Sequence, residues 1–160
     1  TSFVYHAFGA TTYKYVKTEY GGGVITFHLE KKPDKRRCAA CGARYATIRG
    51  SRSYLLRALP IGSKPVFLML NLKILRCRSC PKVLQESRDV ALPRKSYIKA
   101  FARYVLELAR KMTIKDIAEH LQVGWDLVKE IIKEHRAKPL EPKLTSPGSS
   151  IKMIGGTSAV

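Results

Sequence analysis

The sequence is poor in acidic residues. Only 12 of its 160 residues are Asp or Glu, against 30 Lys or Arg, which gives a formal net charge of +18. A surface this positive repels itself unless a polyanion neutralises it, so nucleic acid is the expected partner. A membrane surface is the weaker alternative, because the basic residues are spread through segments that look folded instead of lying on one amphipathic helix.

Long apolar runs are missing as well. No stretch of about 18 apolar residues is present to span a bilayer, and no basic segment followed by an apolar one opens the chain. We therefore expect a soluble, cytoplasmic protein. The hydrophobic content of 45% is sufficient for one medium domain or two small ones.

Cysteine occurs at only four positions, in two matched pairs. Cys38 and Cys41 form the first pair, Cys77 and Cys80 the second, and Gly42 follows the first pair. Four thiolates complete the tetrahedral shell of one zinc ion, and a gap of two residues lets a turn present both sulfurs from one side. The sequence thus predicts one structural Zn²⁺ per chain. Disulfides within each pair would close tiny loops, and a thioredoxin-like redox site lacks its following helix.

Alternating apolar residues predict strands on both sides of the first cysteine pair. We expect residues 1–30 to be β-structure, with a hairpin at Gly21-Gly22-Gly23. A glycine-rich phosphate-binding loop is disfavoured, because neither a helix nor a Lys-Ser or Lys-Thr pair follows the three glycines. Between the cysteine pairs, SYLLRALP and VFLMLNLKILRC predict a second hairpin. Its base would bring the two pairs together, as in a zinc ribbon.

The stretch from Thr113 to Arg136 predicts a helix-turn-helix. Apolar residues recur at helical spacing on both sides of Gln122-Val123-Gly124, and they are Ile114, Ile117, Ala118 and Leu121, then Leu127, Val128, Ile131 and Ile132. Ala118 is small, as a steep helix crossing requires. DNA-binding versions often carry Gly where this chain has Gln122, so we expect a turn without positive φ. A helical hairpin that merely packs is the alternative.

A further helix is predicted ahead of this motif. Ser96 is the expected N-cap, and the apolar face runs to Met112. This helix would supply the third wall on which the helix-turn-helix packs. The predicted fold class is therefore α+β: a small β-rich zinc-ribbon domain (1–92), a three-helix helix-turn-helix domain (93–138) and an irregular linker or tail (139–160).

Two groups of residues are candidates for DNA contact. On the second helix of the motif, the residues expected to face the major groove are Trp125, Asp126, Lys129, Glu130 and Lys133. In the basic segment from Lys31 to Arg57, which holds nine Lys or Arg against one acid, the candidates are Arg36, Arg37, Arg44, Arg49 and Arg52. We expect the ribbon to lie along the backbone or minor groove and the helix to discriminate bases. Asp126 has an alternative role as a cap or dipole partner.

The order of these motifs resembles the bacterial insertion-sequence transposases of the ISL-three type. The resemblance covers roughly residues 10 to 138, and the residues that carry it are Cys38-Ala39-Ala40-Cys41-Gly42, Leu59-Pro60-Ile61-Gly62, Arg76-Cys77-Arg78-Ser79-Cys80, Met112-Thr113-Ile114 and Asp116 to Trp125. In that family this region resembles a module that binds the terminal inverted repeats. The resemblance implies a nucleoid-associated protein that binds double-stranded DNA. It also implies that the chain forms a homodimer or associates with an intact transposase of the family.

The sequence departs from the family after the helical region. There the family carries a Gly-Ile-Asp-Glu motif that begins a catalytic acidic triad, whereas the stretch from Ile154 to Val160 has no acid and the last carboxylate side chain is Glu141. Two-metal strand transfer requires several carboxylates, so we expect no enzymatic activity and no catalytic residues. A competent nuclease or transposase is the alternative class. A zinc-ribbon transcriptional regulator or repressor and, less favoured, an RNA-binding zinc protein also remain open.

Overall fold

The computed structural model describes residues 3–33, 37–38 and 40–137, apart from the side chains of 45–46 and 136–137. Its elements in chain order are α1 (Phe3–Phe8), β1 (Tyr13–Gly21), β2 (Val24–Lys31), β3 (Tyr45–Ile61), β4 (Lys64–Cys77), β5 (Val83–Gln85), α2 (Lys99–Leu108), α3 (Ile114–Leu121) and α4 (Trp125–Ala137). A sheet followed by helices confirms the α+β prediction. The predicted tail, 139–160, lies outside the described residues.

The prediction of β-structure for residues 1–30 is wrong at its beginning, where α1 lies. This helix is too short for its periodicity to be recognised, and packing holds it in place: Phe8 and Phe27 have ring centroids 5.8 Å apart, and Val4 is buried. The rest of the prediction is confirmed, since β1 and β2 form an antiparallel hairpin. Gly22 and Gly23 both have positive φ, +58° and +75°, as the tightest hairpin turns require.

Five strands form one sheet in which β4 is central. The strand order is β1-β2-β4-β3, and β5 also pairs with β4. Strands β3 and β4 form a long antiparallel hairpin, whereas β2 runs parallel to β4 over 25–30 and 66–71. One face of β4 is completely buried at Val66, Leu68, Leu70 and Leu72. The outer strand β1 carries a bulge between Tyr15 and Lys17.

The helix predicted from Ser96 to Met112 is shorter, because α2 begins at Lys99 and ends at Leu108. Ser96 is not its N-cap: Ile98 occupies that position, with no side-chain cap. Instead, the Ser96 carbonyl accepts a bond from the Arg57 N–H (2.7 Å), and the Ile98 N–H donates to the Arg57 carbonyl (3.0 Å). Residues 96–98 are therefore held extended against the edge of β3, and the helix starts only where this pairing ends.

The helix-turn-helix forms as predicted. Thr113 and Asp116 make a capping box at the start of α3, and Ala118 is buried, as the predicted helix crossing requires. The apolar faces of α2, α3 and α4 belong to the same buried cluster as the sheet face. The core is thus continuous across the boundary proposed between residues 92 and 93, which stays a sequence-based division.

The turn between α3 and α4 differs from its prediction. Gln122 has φ +52° and ψ +49°, so a turn without positive φ was wrong. Its backbone N–H donates to the carbonyls of Ala118 and Glu119, which satisfies groups that the helix end would leave unpaired. The left-handed conformation costs a residue with a Cβ about 1 kcal/mol or more. Gln122 adopts this conformation because it lets the backbone hydrogen bonds of the turn form, and these offset the cost.

We therefore predict that Gln122→Gly stabilises the protein. Relief of the left-handed strain should exceed the extra backbone entropy that glycine loses on folding, giving a net gain of about 0.5 to 1 kcal/mol. For a protein of this length the thermal midpoint would rise by about 1 to 4 °C, measured by circular dichroism. Gln122→Ala is the control and should leave the midpoint nearly unchanged. A lower midpoint for the glycine variant would contradict the strain argument.

Candidate zinc centre and nucleic-acid interface

Each cysteine pair lies in a tight turn closed by backbone hydrogen bonds. In the first turn the Cys38 N–H donates to the Ala43 carbonyl, and the Gly42 N–H donates to the Cys38 carbonyl, both at 2.8 Å. Gly42 has φ +72°, which a residue with a Cβ adopts only with strain. In the second turn the Cys77 N–H donates to the Lys82 carbonyl at 3.1 Å. Two similar turns thus present their sulfurs from the end of the β3–β4 hairpin.

The four sulfur atoms form one cluster. The Cys38 and Cys80 sulfurs are 3.6 Å apart, those of Cys41 and Cys77 3.5 Å, and those of Cys41 and Cys80 3.4 Å. All four lie within 4.8 Å of one another. A tetrahedral zinc ion with Zn–S bonds of about 2.3 Å separates its sulfurs by about 3.8 Å. The cluster fits one structural zinc ion, and its separations exceed a disulfide bond of about 2.05 Å.

The backbone prepares one thiolate in each pair. The Cys41 N–H, by hydrogen bonding, lowers the pKa of the Cys38 thiol to about 6, and the Cys80 N–H lowers the pKa of the Cys77 thiol. The nearby Cys41 sulfur, by contrast, raises the pKa of the Cys80 thiol to about 12. Four thiolates so close repel one another, and the charge of a bound metal offsets that repulsion. The first thiol of each turn, Cys38 or Cys77, is therefore the more easily ionised. The positive charge of a zinc ion would stabilise the thiolates of Cys41 and Cys80.

The ribbon is strongly basic at its surface. Residues 38–80 contain eight Lys or Arg and no Asp or Glu. Of the predicted ribbon contacts, four are exposed side chains: Arg37, Arg44, Arg49 and Arg52. The fifth, Arg36, lies outside the described residues. Arg76 and Arg78, on either side of the ligand Cys77, are also exposed and were not among the predicted contacts.

Both ends of the predicted basic segment are buried, so they are not surface charges. Lys31 is 4% exposed, and its Nζ donates to Ser87 Oγ at 2.7 Å and to Asp89 Oδ2 at 2.8 Å. Burial alone would raise the pKa of the Asp89 carboxyl, but the hydrogen bonds that Lys31, Ser87 and Thr12 donate to it hold the pKa below its usual range. Arg57, 5% exposed, donates to the Leu121 carbonyl at 2.6 Å. Two of the nine basic residues of this segment, Lys31 and Arg57, therefore stabilise the fold and are not available at the surface.

The exposed face of α4 carries most of the predicted base contacts. Trp125 is 57% exposed, and Asp126, Lys129 and Lys133 are exposed too. The Lys129 ammonium lies 5.2 Å from the centroid of the Trp125 ring, in a cation–π contact one turn along the helix. The ring limits the positions of the ammonium. This face presents two cations and one flat aromatic surface to a partner.

Glu130, the remaining candidate on α4, is held by an ion pair. The Lys95 Nζ lies 2.5 Å from Glu130 Oε1 and 3.0 Å from Glu134 Oε2. Hydrogen bonding to Glu130 and Glu134 raises the pKa of Lys95, and the bond from Lys95 lowers the pKa of the Glu134 carboxyl. One lysine thus compensates two acids that would otherwise repel a phosphate backbone near α4.

Within the described residues, no helix has the length and apolar character needed to cross a membrane.

We predict one equivalent of zinc per chain in protein purified without chelator. Stripping the metal should remove amide-exchange protection at 45–50 and 74–77, while protection near Phe101 and Ile117 persists because that core does not involve the metal. Cys80→Ser should bring the metal content below half an equivalent. The matched control, Ser79→Ala, lies between two ligands and should keep its zinc. Wild-type protein with under half an equivalent, or with ready disulfide formation, would contradict the zinc centre.

Two family sequence models match the chain, in the order of its structure. The zinc-finger of transposase IS204/IS1001/IS1096/IS1165 matches residues 34–80, and the helix-turn-helix domain of transposase family ISL3 matches residues 93–136. Both are DNA-binding domains, and neither match is to a catalytic domain. Searches of the curated proteins and of the solved structures found no match. The chain therefore contains the DNA-binding region, zinc ribbon followed by helix-turn-helix, of an ISL3-type transposase.

Proposed function

We propose that the chain binds double-stranded DNA sequence-specifically and that its preferred site lies in the terminal inverted repeats of an ISL3-type element. The observation that carries the proposal is the joint exposure of the α4 face and of the acid-free ribbon in one chain. Helix α4 is the second helix of the helix-turn-helix, the one that enters the major groove in this motif. Such a role places the chain on the bacterial chromosome.

In this proposal α4 reads bases. Lys129 and Lys133 are one turn apart on the exposed face, and ammonium groups donate to the O6 and N7 acceptors of guanine. The Trp125 ring supports Lys129 by its cation–π contact, which reduces the freedom that the side chain loses on binding. Asp126, in the first turn, complements the helix dipole, and in this proposal its carboxylate accepts from cytosine N4. Glu130 stays paired with Lys95 and contributes no base contact.

The ribbon supplies charge along the DNA backbone. Arg37, Arg44, Arg49 and Arg52 are exposed, and no acid within 38–80 competes for them. Arginine donates two parallel bonds to phosphate oxygens and so positions a protein on the duplex without reading its sequence. We assign Arg76 and Arg78 the same role because they flank the zinc turn.

The proposal assigns binding, and not catalysis, to these residues. Strand transfer requires a cluster of carboxylates for two metal ions, and the four-sulfur zinc shell offers no open position for a substrate. An element has two ends, so we extend the proposal to a second copy of the chain, or to an intact transposase of the same family, as the partner at the other end. Divalent-metal-dependent nicking of DNA by these 160 residues would contradict this assignment.

A selection of bound duplexes from a random pool tests the proposal directly. A defined sequence should emerge, and footprinting should show its length. Competition with structured RNA is the second arm, because the deep, narrow major groove of an RNA helix does not admit α4. Enrichment of no sequence, or stronger competition by RNA than by duplex DNA, would overturn the assignment.

We predict that Arg44→Ala combined with Arg49→Ala weakens binding to all sequences alike. Loss of two phosphate contacts should lower the magnitude of the log-log salt slope by about 1.8, with sequence preference unchanged. Fluorescence anisotropy from about 50 to 200 mM salt measures the slope. Lys17→Ala is the control, because Lys17 is exposed on the outer strand β1, which β2 separates from the hairpin, and should leave the slope unchanged. Equal effects of the control and the pair would argue against a ribbon interface.

We predict the reverse pattern for Lys129→Ala. Loss of a base contact should cost about 1 to 3 kcal/mol on the preferred site and little on unrelated sequences. The ratio of the two dissociation constants at fixed salt gives the effect. Lys111→Ala, another exposed lysine outside α4, serves as control. If Lys129→Ala and Lys133→Ala leave preference untouched while the ribbon variants abolish it, the ribbon is the reader.

A further inference from the structure

The two parts of the interface attach to opposite regions of the β3–β4 hairpin. The helices join it at Arg57, which pairs with Phe67, whereas the zinc turns lie at its other end, where Tyr45 pairs with Cys77. Ten residues separate Phe67 from Cys77 along β4, and a strand rises about 3.3 Å per residue. The hairpin thus separates its helical end from its zinc end by about 33 Å.

The helical end is fixed to the hairpin by Arg57. Its backbone bonds to Ser96 and Ile98, and its guanidinium donates to the carbonyl of Leu121, the last residue of α3. The guanidinium also lies 5.0 Å from the Phe67 ring centroid and 5.8 Å from that of Phe101. Because α4 begins at Trp125, four residues after Leu121, these bonds tie the start of the reading helix to a defined point on β3.

The hairpin itself is supported along the edge of β4 that faces away from β3. Strand β2 pairs with residues 66–71, and β5 pairs with residues 74–76. Lys73 lies in the gap, where its N–H donates to Glu86 Oε2 at 2.8 Å and its carbonyl accepts from the Glu86 N–H at 3.0 Å. Glu86 is only 4% exposed. Hydrogen bonds on both edges of β4 therefore restrain bending of the β3–β4 hairpin, although β3 carries bulges between Tyr45 and Thr47 and between Ile48 and Gly50.

We propose that the β3–β4 hairpin is a rigid spacer that fixes the two DNA contacts of the chain about one helical turn apart. This inference rests on the proposed DNA binding. The distance of about 33 Å between the two ends of the hairpin is close to one turn of B-DNA, which is about 34 to 36 Å or about 10 to 10.5 base pairs. Contacts separated by one turn lie on the same face of the duplex. The zinc end, where Arg44, Arg76 and Arg78 are exposed, therefore meets a phosphate backbone on the face that α4 enters. Arg57 acts as the positioning residue.

Duplexes with neutral methylphosphonate linkages at chosen positions test the inference with the wild-type chain. Hydroxyl-radical footprinting of the selected duplex should show two protected segments centred about 10 to 11 base pairs apart on one face. Neutral linkages in the outer segment remove the charges that the zinc end contacts, whereas the same number of neutral linkages about five base pairs from the α4 site lies on the opposite face of the duplex. The first change should weaken binding about 10- to 100-fold and flatten the salt slope, and the second should leave affinity and slope nearly unchanged.

The Arg57→Met variant tests rigidity without changing the exposed basic side chains. It keeps an unbranched side chain between the two rings but removes the bond to Leu121, so the helices should move relative to the β3–β4 hairpin. Zinc content and circular dichroism verify that the variant is folded. Its affinities for the unmodified duplex and for the duplex neutralised in the outer segment should then differ less than about 3-fold. Should the variant unfold, the two neutralised duplexes still decide with the wild-type chain.

The possible failures are distinguishable. If no duplex is preferred, the proposed function itself fails. If a duplex is preferred but the footprint is one short block, or neutral linkages in the outer segment leave affinity unchanged, sequence-specific binding stands and the rigid spacer is wrong.

Discussion

A buried guanidinium joins the two halves of this molecule. Arg57 leaves the sheet edge and reaches the carbonyl that closes α3, while its plane is covered by the rings of Phe67 and Phe101. Burial lowers the pKa of this arginine, which nonetheless stays charged, and a charge taken out of water must be compensated. The negative end of the α3 dipole and two aromatic faces provide that compensation. Together with the shared apolar core, this side chain therefore fixes how the sheet and the helices are placed.

The zinc centre addresses a different problem, the self-repulsion of the ribbon. Eight cations and no acids occupy residues 38–80, so electrostatics alone oppose bringing the two strands of the hairpin together. Metal binding contributes free energy that the unfolded chain cannot gain to the same extent, and the sulfur cluster closes the end where exposed arginines are most dense. The metal thereby lets a surface be concentrated in positive charge without the acids that usually balance it.

The features that depend on regular spacing were predictable from the sequence. The paired cysteines, the alternation along β4 and the apolar period of α3 and α4 each reflect a repeat that a single chain displays. Features that depend on a distant partner were not. Helix α1 forms because Phe27 packs against it, and α2 starts late because Arg57 pairs with the residues before it.

Charged residues show the same limit. Lys31 and Arg57 resemble their exposed neighbours in sequence, yet Asp89 and Leu121 draw them inside. Glu130 has the spacing of a groove-facing residue, but Lys95, 35 positions earlier, binds it. No local pattern distinguishes a lysine that will be buried against a distant acid from one that will remain in water. The left-handed Gln122 is a related case, because backbone bonds across the turn decide its conformation.

The bulge in β1 has a consequence for the behaviour of many copies close together. An outer strand offers unpaired amide and carbonyl groups to any other strand, and Tyr15, Val16 and Tyr20 on β1 are largely exposed. The bulge between Tyr15 and Lys17 breaks the regular spacing of those groups, and Lys14 and Lys17 add charge that a second copy would have to bury. Molecules crowded along a nucleic acid are thereby kept from polymerising edge to edge, so their local concentration can rise without amyloid-like growth.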